Sequence, residues 1–229
     1  RVYGVATSGN RIFISVGSVA ATYAHIFVWD GVAERYLADI DLALVADSPA
    51  LRARAVAADA SGGVWVGSAP FGELFRVDAT LLTAVTKKRF PVFEGDTLTE
   101  IAALAVSGGS LYAGGAPMID SGSAVLYRIS ITDTAGSADT IALRKTPPDT
   151  NAVGVRALFT DSTGQVFAGV SGLRETGALL FRVSGNAAAF DTNLSTDSAI
   201  VAMAVLGDTL FYVAEPTGRV YVRRISTND

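Results

Sequence analysis

A short strand with a central aromatic recurs five times along the chain, and this recurrence restricts the fold more than any other feature. It reads Ile12-Phe13-Ile14, Val64-Trp65-Val66, Leu111-Tyr112-Ala113, Val166-Phe167-Ala168 and Leu210-Phe211-Tyr212. The aromatics at 13, 65, 112, 167 and 211 are 52, 47, 55 and 44 residues apart. A second aromatic strand follows each: Ile26-Phe27-Val28, Leu74-Phe75-Arg76-Val77, Leu126-Tyr127-Arg128-Ile129, Leu180-Phe181-Arg182-Val183 and Val220-Tyr221-Val222. Self-similarity at a fixed period of this length marks a repeat architecture in which each unit is one supersecondary element.

Each unit also opens on a regular stretch. These are Val2 to Ala6, Ala55 to Ala58, Ile101 to Val106, Val155 to Phe159 and Ile200 to Val205. They are short, contain β-branched residues and end in turn signals such as Ser8-Gly9-Asn10, Asp59 to Gly63 and Asp161 to Gly164. Short apolar runs bounded by Gly, Ser and Asp read as hairpin strands. A more polar segment closes most units, as in Arg35 to Ile40, Lys88 to Val92 and Ile141 to Lys145. Four antiparallel strands, A to D, thus repeat at about 45–50 residues, the period of a β-propeller blade. The small residues of strand A fit the crowded axis, and the aromatics of strands B and C fill the space between blades. The charges Lys87, Lys88 and Arg89 suit an outer edge strand, where charge blocks edge pairing.

The expected fold is all-β: one five-bladed propeller domain over 1–229, with blades at about 1–48, 49–98, 99–150, 151–197 and 198–229. At a mean spacing of about 49.5, five complete blades need about 248 residues against the 229 present, so the last blade is expected to lack its outer strand. The alternative is an arc of a larger ring. A seam contact between the 2–6 strand and the 200–205 region would mark closure. The chain starts at Arg1 and is expected to be part of a longer polypeptide or assembly.

The second unit, Asp59-Ala60-Ser61-Gly62-Gly63-Val64-Trp65-Val66-Gly67, places an Asp turn before an apolar-Trp-apolar-Gly strand. Asp161 to Gly169 follows the same scheme with Phe167. These units resemble the repeats of two-component-regulator and NHL-type bacterial propellers. The resemblance implies a propeller with a ligand- or partner-sensing surface. It transfers no functional residue, because the matching residues build the blade.

Composition narrows the chemistry. No cysteine is present, which excludes disulfides, thiolate metal sites and cysteine nucleophiles. The one histidine is His25. A net charge of −4 disfavours nucleic acid as a partner, since phosphate neutralisation needs a basic stripe. No apolar run approaches the ~20 residues of a membrane helix, so no membrane insertion is expected. Nucleophile-elbow, phosphate-loop and zinc-protease motifs are missing. The inner strands are almost free of acids, which argues against the paired axial carboxylates of a glycosidase. No catalytic residue, metal site or cofactor is expected; Asp59 and Asp161 should accept turn N–H groups.

Binding remains. Propeller B–C loops lie on one face of a rigid frame, where function is usually carried. They offer Tyr23, His25, Phe71, Asp120, Arg174, Glu175 and Glu215 as candidate ligand contacts, with Met118 beside them. Phe71 and Met118 serve equally well as plugs of the central channel, and His25 as a packed strand residue. The expected role is a non-catalytic binding or scaffold propeller, bacterial and extracellular, periplasmic or surface-associated, with a protein or glycan partner. The alternatives are a carbohydrate-active enzyme and a structural subunit of a filament or virion.

Overall fold

The structure, a computed structural model, describes residues 1–18, 24–45, 52–82, 85–89, 98–117, 124–132, 138–143, 152–172 and 177–226. Among the described residues nineteen strands run in five sequential units. The first holds β1 (Val2–Ser8), β2 (Arg11–Gly17), β3 (Ala24–Asp30) and β4 (Arg35–Asp41), and the second β5 (Arg52–Ala58), β6 (Gly63–Ala69), β7 (Glu73–Asp78) and β8 (Val85–Arg89). The third holds β9 (Leu98–Ser107), β10 (Ser110–Pro117), β11 (Ala124–Ser130) and β12 (Ala138–Leu143). β13 (Ala152–Thr160), β14 (Val166–Gly172), β15 (Ala178–Ser184) and β16 (Ala187–Leu194) form the fourth. The last has three: β17 (Ala199–Leu206), β18 (Thr209–Glu215) and β19 (Arg219–Arg224). Each unit is an antiparallel meander, and a single bridge between Gly17 and Arg52 joins the first two sheets. The charged Lys87–Arg89 segment lies in β8, whose one ladder is to β7 at the sheet edge. No helix among the described residues is long and apolar enough to cross a membrane.

Alternation explains how such units stack. Successive side chains of a strand point to opposite faces, so a blade flanked on both sides must be apolar on both. In β6, Val64 and Val66 join Phe13, Ile26 and Val28 of the first unit, while Trp65 joins Ile101, Leu111 and Tyr127 of the third. Phe181 and Val155 meet Tyr112 and Leu126 between units three and four, and Phe167 meets Ile200 and Tyr212 between units four and five. Four apolar clusters thus fill the four gaps between successive units.

Close approach at three of these gaps requires glycine. A Cβ on Gly67 would lie 2.5 Å from Ile101, on Gly114 2.6 Å from Val155, and on Gly169 2.6 Å from Ile200. Each glycine sits on strand B, two residues after the aromatic marker, and lets the next unit's inner strand slide in. The Asp turns work as expected. Asp59 Oδ1 accepts the N–H groups of Ser61 and Gly63 at 2.9 and 2.8 Å, and Asp161 Oδ1 those of Thr163 and Gln165 at 2.8 and 2.9 Å. Asp59 also takes the Trp65 indole N–H on Oδ2 at 2.9 Å, tying turn to core.

The inner strands pack side by side from β1 through β5, β9 and β13 to β17. Among the described residues β17 and β1 show no comparable packing against each other. The outward faces of the two end units carry exposed apolar side chains: Val2 and Val5 on β1, and Leu206, Val220 and Val222 on β17 and β19.

Candidate functional site

All five inner strands carry a β-bulge at the same place. Register shifts set one residue outside the ladder in each: Tyr3 in β1, Arg54 in β5, Ala102 in β9, Arg156 in β13 and Val201 in β17. Each lies three residues before the one that pairs with the aromatic marker. A bulge re-aims a side chain that the ladder would otherwise direct into a sheet face. Here the five re-aimed residues line one axial cavity of about 650 Å³. β13 has a second shift, which frees Val153 into the same space. Ser171 and Gly172 at the end of β14, Ser198, Ala199 and Glu215 complete the wall. Starts of strand A and ends of strand B therefore surround the cavity, which puts it at the B–C loop face. The opposite face has shallower clefts between neighbouring units, such as that between Ser107, Arg128 and Thr163.

Charge concentrates on one side of the cavity. Glu100, two residues before the Ala102 bulge, accepts from Arg54 Nε at 3.1 Å on one oxygen and from Arg156 Nη1 at 2.7 Å on the other. The bridge joins three successive units. The Arg54 guanidinium also lies 5.0 Å from the centre of the Tyr3 ring, an arrangement the ring quadrupole favours. On the fifth-unit side, Ser198 donates its N–H and its hydroxyl to the Glu215 carbonyl at 2.6 and 3.2 Å, fixing the backbone where that side chain enters the lining.

Of the residues expected from the sequence, Glu215 lines the axial cavity. Phe71, in the β6–β7 loop, is 50% exposed and stands apart from the lining. His25, the second residue of β3, lies on the outward face of the first unit, with its Nδ1 2.6 Å from Asp39 Oδ1 and its Nε2 3.8 Å from Asp41. The acids Asp39 and Asp41 are thus strand residues facing an imidazole. Tyr23, Asp120, Arg174 and Glu175 lie outside the described residues, as does Met118. The structure adds Tyr3, Arg54, Glu100 and Arg156. Their signal in the sequence is a bulky or charged side chain inside an otherwise small, apolar inner strand. Among the described residues no group of three or more His, Asp or Glu is placed to hold a metal ion.

No protein-family model and no curated protein matches the chain. Solved structures do. The chain is similar to Kuenenia stuttgartiensis hydrazine synthase (TM-score 0.67, 12% identity, 93% of this chain and 55% of that one). It is similar to the extracellular domain of the putative one component system BT4673 from B. thetaiotaomicron (0.64, 11%, 96% and 27%). It is also similar to the RRP9 WD40 repeats (0.65, 13%, 100% and 64%). The chain thus spans between about a quarter and two thirds of the length of these structures. The fold is a β-propeller built from four-stranded antiparallel repeats.

Proposed function

We propose that the protein is a non-catalytic binding propeller whose ligand, a glycan or a segment of a partner protein, enters the axial cavity from the B–C loop face. The observation that carries this reading is the convergence of five bulged residues on that cavity. A bulge interrupts the ladder, and five in register are a consistent device, since a bulge serves to re-aim side chains. The cavity lies within the ~300–1,000 Å³ of small-molecule sites. The reading also places the protein outside the cell or on its surface, as the BT4673 domain is.

A carbohydrate-active enzyme is the competing reading. It needs two working carboxylates across the bond to be cleaved. Of the described carboxylates Glu215 lines the cavity, and Glu100, held by two of its lining arginines, has both oxygens engaged by guanidinium donors. A plug tests the site: Ala102→Trp fills the cavity from the middle of the arc. On arrays of glycans and peptides, ligands captured by the wild type should be lost with Ala102→Trp and kept with Phe71→Ala. The reverse would move the site to the outer loops. Cleavage of a captured oligosaccharide on incubation would overturn the non-catalytic assignment.

A further inference from the structure

Resting on that reading of the cavity, we infer that its ligand is a sugar acid: a molecule with one carboxylate at one end and hydroxyl groups at the other. Each wall states what it lacks. On the Arg side, Glu100 takes Nε of Arg54 and Nη1 of Arg156. Arg54 Nη1 and Nη2 and Arg156 Nε and Nη2 make no hydrogen bond among the described residues, and both side chains are partly exposed. Two guanidinium groups against one carboxylate leave this wall one positive charge in excess. Guanidinium forks match carboxylates in geometry as well as charge. The ligand group that meets them is therefore an anion of that shape. Tyr3, packed against Arg54, holds that fork in position.

The part of the wall formed by Ser171, Ser198 and Glu215 has the opposite need. Ser171 donates its hydroxyl to the Gly154 carbonyl at 3.1 Å, and Ser198 donates to the Glu215 carbonyl at 3.2 Å. Both hydroxyl protons are thus used, and what these serines offer is acceptor capacity. Glu215 offers a carboxylate, an acceptor as well. A second anionic group on the ligand would meet Glu215 in repulsion, whereas hydroxyl donors would satisfy this wall. A neutral sugar leaves the guanidinium donors unmatched, and a dicarboxylate leaves the acceptors unmatched. One carboxylate with several hydroxyls satisfies both.

Isothermal titration calorimetry of the whole chain with D-glucuronate, D-glucose and succinate tests this, with circular-dichroism melts as the fold control. Glucuronate should bind at least about tenfold more tightly than either other probe, the scale of one charge-assisted hydrogen-bonded contact. Its affinity should fall as salt rises. Arg156→Gln should bring glucuronate to the level of glucose, and Arg156→Lys, which keeps the charge and loses the fork, should fall between. Equal affinities for glucuronate and glucose, no glucuronate binding up to about 10 mM, or a preference untouched by Arg156→Gln would each overturn the ligand class. Should such a result coincide with a different ligand that Ala102→Trp expels, the axial site stands and only its chemistry falls. An Arg-dependent glucuronate preference that survives Ala102→Trp would overturn the axial placement itself.

Discussion

Gly169 on β14 and Val213 on β18 occupy the same place in consecutive units, two residues past the aromatic marker, yet live in different surroundings. Gly169 is pressed by Ile200 of the following inner strand, so closely that a Cβ would overlap it. Val213 is half-buried on a face whose neighbours Leu206 and Val222 are 76% and 63% exposed. Gly67 and Gly114 repeat the first situation against Ile101 and Val155. Residue size at this position thus tracks whether another unit stands beside it. The chain's inner gaps are built interfaces. The outward face of the last unit keeps the apolar character of an interface without the small residue that admits a neighbour at that depth.

The comparison can be tested at decreasing scale. Trp65, 4% exposed in the gap between units two and three, should cost about 3–5 kcal/mol when cut to Ala, read from denaturant unfolding. Loss of under about 1 kcal/mol would mean the gap is not a packed core. Gly169→Val, which copies the fifth unit's residue into a closed gap, should cost about 1–3 kcal/mol by overpacking. The reciprocal Val213→Gly should cost no more than about 1 kcal/mol, the entropic penalty of glycine in a strand. Matching losses for the two would erase the distinction between inner gap and end face.

A pH-dependent effect is expected at one inner gap. Burial on its own would raise the Asp59 pKa, but hydrogen bonds from Ser61, Gly63 and Trp65 and the Arg76 charge outweigh it and hold the carboxyl below its usual range. A depressed folded pKa contributes stability that is complete above the unfolded value near 4 and is lost as pH falls through the folded one. Asp59→Asn should lower the melting temperature at pH 7 and shrink the further drop below about pH 4. A variant with an unchanged acid limb would disconnect the turn from the core. Smallest of all, Leu206→Asp should change stability by no more than about 0.5 kcal/mol, as surface substitutions do. The cysteine-free background allows one more check. Val2→Cys/Val213→Cys should form no intrachain disulfide, because among the described residues neither β17 nor β18 packs against β1 as successive inner strands pack on each other. A monomer bridged within itself would show that the two end faces meet.

The blades were legible because their signals are redundant. An aromatic on strand B, another on strand C and a turn between A and B recur in phase, and each alone would mark the unit. Trp65 between blades and Asp59 in its turn followed from burial and turn chemistry. The site was less legible, and Arg54 shows why. A bulge is a one-residue offset in the ladder, and nothing in Arg52-Ala53-Arg54-Ala55 says which arginine falls outside it. Alternation alone would send Arg54 into a sheet face. Glu100 was hidden differently: its role depends on Arg54 and Arg156, 46 and 56 residues away along the chain. The place of Glu215 in the cavity lining could be anticipated because a loop that ends strand B opens toward the axis. Phe71 fits the same pattern but sits further out on its loop, half exposed.

The bulges set much of the axial cavity's lining apart from the apolar body that carries it. Tyr3, Arg54, Ala102, Arg156 and Val201 sit outside the ladder, while the clusters that hold the blades together are built from other positions. Five codons therefore write much of the chemistry of the opening. Substitution at Tyr3, Ala102 or Val201 would alter the opening without touching those clusters, whereas substitution at Arg54 or Arg156 would also release the Glu100 bridge between three units. A laboratory library at the first three positions would search the chemistry of the opening while leaving the scaffold out of the selection.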